Sequence, residues 1–238
     1  MSTMLDSLLE ALQPYEQALN GDGRLVAIRP DGTRQLWDTR RWLANLDRAD
    51  RSVLERCAGP TLDVGCGPGR FVQAWALTGQ VALGVDISSV AVELTARRGA
   101  SVLQRDVFAR VPGEGRWHTV LLMDGNIGIG GDPASLLRRL AGLIAGDGQL
   151  LIEVDADDVD EQLELQLVMN DETSQPGPRL RWALVGRQAL ERQAGATGLL
   201  VDEAWTADER AFVRLVAGGH QVGGGGVFST VGVDRPSR

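Results

Sequence analysis

The chain has 238 residues, of which 43% are hydrophobic, and its 24 basic and 32 acidic residues give a formal net charge of −8. This length suits one sizeable α/β domain with appendages, and two independent domains would be cramped. The negative charge disfavours nucleic acid or an anionic membrane as partner. No apolar run approaches the roughly 20 residues that span a membrane. Cys57 and Cys66 make no disulfide framework and show no metal-ligand spacing with His118 or His220, so we expect no metal and a cytoplasmic location.

Residues 1–58 are predicted to form a leader that packs on the rest of the chain. Four leucines within residues 2–19 recur at helical spacing: Leu5, Leu8, Leu9 and Leu12. We expect this helix to be interrupted at Pro14. The runs 24–29 and 33–37 flank a Pro-Asp-Gly turn signal, which predicts a hairpin. Further on, Asp50 can cap a short helix.

Residues 59–217 alternate between strand and helix patterns. Strands are predicted at 62–65, 81–85, 101–104, 117–123 and 149–154, and helices at 71–77, 90–97 and 133–145. A hairpin inserted at 161–185 follows, then a helix at 186–195 and an antiparallel pair at 199–206 and 211–217. The pattern predicts an α/β fold with a doubly wound, mostly parallel sheet, whose ligands lie at the carboxyl ends of its strands. The glycine-rich residues 218–238 are predicted to be a flexible tail.

A glycine-rich turn follows the first strand of this core. Gly65, Gly67 and Gly69 let the backbone turn tightly and approach a ligand, and the following helix start offers free N–H groups. The dinucleotide fingerprint G-x-G-x-x-G would need glycine where Arg70 stands. Asp86 lies at the end of the next strand, where an acid can accept hydrogen bonds from both ribose hydroxyls. Its alternative role is to cap the following helix.

With Asp63 ahead of the glycines, residues 59–217 resemble class I S-adenosylmethionine-dependent methyltransferases, and most closely the small actinobacterial-type members whose substrates are often unassigned. The resemblance implies a Rossmann-like seven-stranded sheet with an antiparallel last strand, S-adenosylmethionine as cofactor and S-adenosylhomocysteine as product. It implies the following cofactor contacts: Asp63, Gly65, Cys66, Gly67, Pro68 and Gly69 at the methionine end, Asp86 and Ile87 at the ribose, Asp106 and Val107 at the adenine, and Met123 and Asp124 beside the sulfonium.

Methyl transfer makes modest demands on the protein because the sulfonium methyl is already activated. In-line placement of the acceptor supplies much of the rate, and a base is needed mainly for hydroxyl acceptors. Asp124 and Asn126, which follow the fourth strand, are the candidates for catalytic residues that orient the acceptor. Asp124 could also act as a base if its pKa is raised. An ordinary Asp-Gly-Asn turn is an equally good interpretation.

Aromatic residues outside the strand–helix core mark where an acceptor pocket would be built. We expect Tyr15, Trp37, Trp42 and Trp182 to wall this pocket, although each could simply bury a large area in packing. A run of carboxylates follows the fifth strand: Asp155, Asp157, Asp158, Asp160, Glu161 and Glu164. It favours either a cationic acceptor such as an amine or, more plainly, a solvated loop.

The sequence therefore predicts transfer of a methyl group from S-adenosylmethionine to an oxygen or nitrogen of a small-molecule acceptor, by a monomer or homodimer. Two alternatives stay open. One is a protein that binds S-adenosylmethionine or a related nucleoside without transferring anything. The other is a nicotinamide-dependent oxidoreductase, which Arg70 in place of the third glycine disfavours.

Overall fold

The leader folds into four helices and a hairpin in the computed structural model, which describes residues 2–21, 24–169 and 176–218. Its elements are α1 (Ser2–Ala11), α2 (Gln13–Asn20), β1 (Leu25–Ile28), β2 (Arg34–Trp37), α3 (Thr39–Leu43) and α4 (Arg48–Leu54). The predicted hairpin is confirmed, with Leu25 opposite Trp37. The helix break falls at Leu12 and not at Pro14, because proline fits the first turn of α2, where its missing N–H would have no helical partner.

A seven-stranded sheet carries the core of the chain. Its first part comprises β3 (Thr61–Val64), α5 (Arg70–Thr78), β4 (Ala82–Asp86), α6 (Ser89–Arg97), β5 (Val102–Gln104), β6 (Trp117–Leu122), a 3₁₀ segment (Asn126–Gly131), α7 (Pro133–Ala141) and β7 (Ile144–Val154). The second part comprises β8 (Asp160–Met169), β9 (Leu180–Val185), α8 (Arg187–Gly195), β10 (Leu199–Ala207) and β11 (Arg210–Ala217). The strand order is β10-β11-β7-β6-β3-β4-β5, and β11 is antiparallel to both its neighbours. The predicted fold is confirmed.

A second sheet joins the leader to the insertion. Strand β1 pairs antiparallel with β8, with Leu25 opposite Met169, which gives the order β2-β1-β8-β9. Periodicity within single segments predicted two separate hairpins, and it carried no signal that the two would share one sheet. Residues 170–175, within the loop expected between the inserted strands, and the tail residues 219–238 lie outside the described residues.

Strand β7 begins earlier than predicted. It starts at Ile144, opposite Trp117, and the next partners are Thr119 and Gln149, so residues 145–148 bulge out of the ladder. The Gly-Asp-Gly signal at 146–148 therefore forms a bulge within a strand and not a turn before it, and α7 accordingly ends at Ala141.

The central strands are buried on both faces. On β6, Val120 and Leu122 pack against one hydrophobic cluster, which includes Leu136 of α7, while Leu121 packs against the other, which includes Phe71 of α5. This burial holds the carboxyl ends of β3, β4 and β6 in fixed relation, and the site lies at that edge. None of the helices in the described residues is long and apolar enough to cross a membrane.

Candidate functional site

Two glycines of the turn between β3 and α5 stand where a side chain would have no room. Gly65 has φ +67°, and a Cβ there would lie 2.6 Å from the Asn126 amide nitrogen; Gly69 has φ +80°, and a Cβ there would lie 2.4 Å from Thr95. The Thr95 hydroxyl also donates a 2.8 Å hydrogen bond to the Gly67 carbonyl. Only glycine allows this backbone and these close approaches together, so the turn is a rigid cradle at the edge of the sheet.

Asp86 is fixed against this cradle. Its carboxylate accepts hydrogen bonds from the backbone N–H groups of Gly67 and Ser88, both at 2.9 Å. Burial raises the pKa of Asp86, and these two hydrogen bonds oppose the rise. The alternative role as helix cap is filled by Ser88, whose hydroxyl accepts from the Ala91 N–H at 3.1 Å. Asp86 is therefore an oriented acceptor at the end of β4.

Asp63 is the unusual acid of the site. Its side chain is 2% exposed, and no hydrogen bond from any residue that the structure describes holds its carboxylate. Burial raises the pKa of Asp63 to about 7, against the attraction of Arg70 and with the repulsion of Asp124 and Asp86. A buried carboxylate without a donor fits a ligand that brings a cationic group to it.

A less enclosed part of the site lies at the carboxyl end of β5. The Asp106 carboxylate accepts from the Phe108 N–H at 2.9 Å, and the Val107 carbonyl accepts from Arg139 at 2.7 Å. Phe108, which the sequence interpretation missed, is 44% exposed and lies beside Gly130 of the 3₁₀ segment. An exposed ring at the carboxyl edge of the sheet can stack on a flat group such as a nucleobase.

The region after β6 is held by ion pairs. Asp124, in the left-handed region with φ +56°, accepts from Arg70 at 2.6 and 3.0 Å and from Arg41. Burial alone would raise the pKa of Asp124, but Arg70, Arg41 and Arg210 outweigh it and hold that pKa below its usual range. Asp124 therefore lacks the raised pKa that a general base would need. Its carboxylate instead holds the region after β6 in place through ion pairs.

The ion pairs continue behind the site as a buried network. Arg70, 4% exposed, also bonds Asp50, which is 1% exposed, and Arg210 joins Asp50 at 2.7 Å to Glu153 at 2.6 Å. Burial would raise the pKa of Asp50, but Arg70 and Arg210 lower it to about 2. Asp50 is therefore an ion-pair partner, and it is Asp47 that caps α4, with Asp50 completing the capping box.

The sequence interpretation did not find this network. Its members come from the leader, the start of α5, the region after β6, the end of β7 and the start of β11, which only the fold brings together. The one local signal was Arg70, a charged residue at a position where the dinucleotide fingerprint has glycine.

Asn126 links the region after β6 to the cradle. Its amide nitrogen donates to the carbonyls of Val64 at 3.1 Å and Gly65 at 2.8 Å. Within the described residues the side-chain oxygen of Asn126 accepts no hydrogen bond, so it is left as an acceptor. Asn126 therefore aligns the two main segments of the site, and its oxygen can orient a hydrogen-bond donor.

The four aromatic residues predicted to line a pocket lie together. Trp37 contacts Trp182 with ring centroids 5.5 Å apart and Trp42 at 6.2 Å, and Trp42 contacts Tyr15 at 5.8 Å. They form an aromatic wall that runs from the cradle, where the Tyr15 hydroxyl approaches Gly67, to Gly128 beside Trp182. Since the rings come from α2, β2, α3 and β9, leader and insertion build this wall jointly.

A cavity of about 230 Å³ lies on the other side of the region after β6. Gly125, Glu153, Asp155 and Glu209 are among its lining residues. Three of the six carboxylates predicted as an acidic run form ion pairs elsewhere: Glu161 with Arg29, Glu164 with Arg179 and Asp160 with Arg192. Half of the run is therefore paired with arginines and is not available to a cationic acceptor.

Comparison with known proteins identifies the family. A model described as a methyltransferase domain matches residues 7–204, most of the chain. The chain belongs to this methyltransferase family. The match includes the leader as well as the core of the methyltransferase domain, which agrees with the sheet that the two share.

Solved structures support the fold of this methyltransferase domain. A methyltransferase from Bacteroides fragilis, in complex with S-adenosyl-L-homocysteine, has a TM-score of 0.69 at 20% identity, covering 89% of this chain and 96% of its own. The CcbJ methyltransferase of Streptomyces caelestis has a TM-score of 0.57 at 13% identity, covering 74% and 92%. The glycopeptide N-methyltransferase MtfA, in complex with S-adenosyl-L-methionine, has 0.52 at 17%, covering 70% and 92%. No curated protein sequence matches the chain.

Proposed function

We propose that this methyltransferase transfers the methyl group of S-adenosylmethionine to a nitrogen or oxygen of a small-molecule acceptor. The choice of cofactor rests on two acids at the cradle. Asp86 is oriented by two backbone N–H groups, and Asp63 is buried without a hydrogen-bond donor among the described residues. A ligand that joins a ribose to a cationic amino acid satisfies both. The cofactor supplies an activated methyl on its sulfonium, and the protein holds the cofactor and the acceptor in position.

The acceptor side of the proposal rests on the aromatic wall and on Asn126. The wall, made of Tyr15, Trp37, Trp42 and Trp182, gives an apolar surface next to the cradle. Leader and insertion build this wall jointly, and we infer that its acceptor is a small molecule. The side-chain oxygen of Asn126 can accept a hydrogen bond from the methyl acceptor and so orient it.

Nitrogen is favoured over oxygen within this proposal. A hydroxyl acceptor needs a base to take its proton, whereas a neutral amine already carries the attacking lone pair. Asp124, the candidate for that base, has a lowered pKa and forms ion pairs with Arg70 and Arg41. A neutral amine acceptor therefore fits the site better, because it needs no general base.

Titration calorimetry tests the cofactor, with S-adenosylmethionine, S-adenosylhomocysteine and NADH as ligands. We expect the first two to bind and NADH to give no heat. Asp86→Ala should weaken binding at least about 100-fold, because an oriented acceptor of two hydroxyls is lost. Asp147→Ala is the matched control, since this acid is exposed in the bulge of β7 at the opposite edge. Binding of NADH alone, or of no ligand, would overturn the proposal.

Release of S-adenosylhomocysteine then tests turnover. The wild-type protein is incubated with S-adenosylmethionine and with amine or hydroxyl libraries, and the product is quantified. For an amine acceptor, kcat/KM should rise with pH until the amine is deprotonated. Cofactor binding without turnover on any member of either library would favour the non-catalytic alternative.

A further inference from the structure

Helix α2 of the leader lies across the cradle. The Tyr15 hydroxyl is 3.4 Å from the position that a Cβ on Gly67 would take. One residue further, the Glu16 carboxylate accepts from the Ser88 hydroxyl at 2.7 Å and from the Ser89 hydroxyl at 3.4 Å. Consecutive residues of α2 thus touch the glycine-rich turn and the start of α6, the two elements that frame the cofactor site.

The Tyr15 phenol is a donor without a protein acceptor. No hydrogen bond from it reaches any residue in the parts of the chain that the structure describes, and its ring packs edge-on against Trp42. Burial raises the pKa of Tyr15, and the charges of Asp86, Cys66, Asp124 and Glu16 raise it further. The phenol therefore keeps its proton at neutral pH, so it can donate a hydrogen bond but cannot serve as a base.

We propose that α2 is a lid over the cofactor, in which Tyr15 donates a hydrogen bond to the bound cofactor and Glu16 latches the lid to Ser88 and Ser89. This inference rests on the proposed cofactor. Its basis is a spatial constraint: a ligand lying along the turn 65–69 must either touch the Tyr15 hydroxyl or push α2 away. The hydroxyl has no competing acceptor among the residues that the structure describes, so contact with the ligand satisfies it, whereas displacement of α2 would also break the Glu16 hydrogen bonds.

Calorimetry of Tyr15→Phe distinguishes contact from displacement. Phenylalanine keeps the ring against Trp42 and removes only the hydroxyl, so we expect about 3- to 10-fold weaker binding of S-adenosylhomocysteine, the effect of one lost hydrogen bond. Gln17→Ala, on the exposed face of α2, should bind as the wild type does. Unchanged or tighter binding by Tyr15→Phe would overturn the inference. If the wild type itself does not bind, it is the proposed cofactor that fails.

Stopped-flow tryptophan fluorescence tests the latch. Trp42 touches Tyr15, so its emission should change as the lid closes on the ligand. Glu16→Gln weakens the latch, and we expect the association and dissociation rate constants of S-adenosylhomocysteine both to rise about threefold or more, with Kd changed less than about twofold. Unchanged rates would refute a lid. A faster dissociation with equally weakened Kd would refute it too, since Glu16 would then be a ligand contact.

Discussion

Cofactor affinity should depend on pH through Asp63. This carboxyl group is buried, has a pKa of about 7 and has no donor among the described residues, so near neutrality a fraction of ligand-free molecules holds it protonated. The proposed cofactor carries an α-ammonium group, which is cationic at neutral pH. A cation at the cradle stabilises the ionised form of Asp63, so binding should expel the proton.

The size of the effect follows from the titration. With a pKa of about 7, about a tenth of the free protein has Asp63 ionised at pH 6 and about three quarters at pH 7.5. If only the ionised form binds well, affinity rises about eightfold over this interval. At a higher pH, where the ammonium group of the ligand loses its own proton, the affinity should fall again.

Calorimetry with S-adenosylhomocysteine, repeated in phosphate and Tris buffers, measures both the affinity and the proton. At pH 6.5 we expect about 0.8 protons released per ligand bound, seen as a difference in heat between the two buffers. An affinity that is constant from pH 6 to 7.5, together with equal heats in both buffers, would show that Asp63 is already ionised in the free protein and that binding expels no proton.

Asp63→Asn provides an independent test through stability. Because the folded-state pKa lies above the unfolded value, the native carboxyl costs stability as pH rises from about 4 through 7. The variant has no such cost, so its ligand-free form should be more stable at pH 7.5 by up to about 4 kcal/mol. Its Tm should also vary less between pH 5 and 8, and its weaker ligand binding should lose the rise with pH.

Gly69→Ala should unfold at lower temperature than Gly99→Ala, because both positions have positive φ but only at 69 does a Cβ meet Thr95, at 2.4 Å. Equal Tm losses in the two variants would contradict the close approach that we assign to the cradle. Arg70→Ala removes the buried arginine that Asp50 and Asp124 share, although each keeps another arginine partner, and it should destabilise the protein by about 3 kcal/mol in urea unfolding. Arg51→Ala on the exposed face of α4 should cost under about 0.5 kcal/mol, and an Arg70→Ala loss no larger than this would show that the network contributes little.

The site residues differ in how far sequence could predict them. The cradle could be predicted residue by residue, because its backbone demands glycine at fixed spacing and Asp86 stands at a fixed distance along the chain. The role of Asp124 could not be, because an Asp-Gly-Asn turn has the same local chemistry whether or not guanidinium groups surround it. Its lowered pKa depends on Arg41 and Arg210, which lie 83 residues before it and 86 after it in the chain.

Local patterns along the chain predicted the alternation of strands and helices, the glycine-rich turn and the order of motifs that is typical of a methyltransferase. These are local properties, since periodicity and backbone sterics act over a few residues. The pairing of β1 with β8 and the ion-pair network behind Asp124 became visible only in the tertiary structure. Pairing partners and the electrostatic environment of a buried charge depend on which distant segments pack together, and a single sequence does not encode that choice in any local pattern.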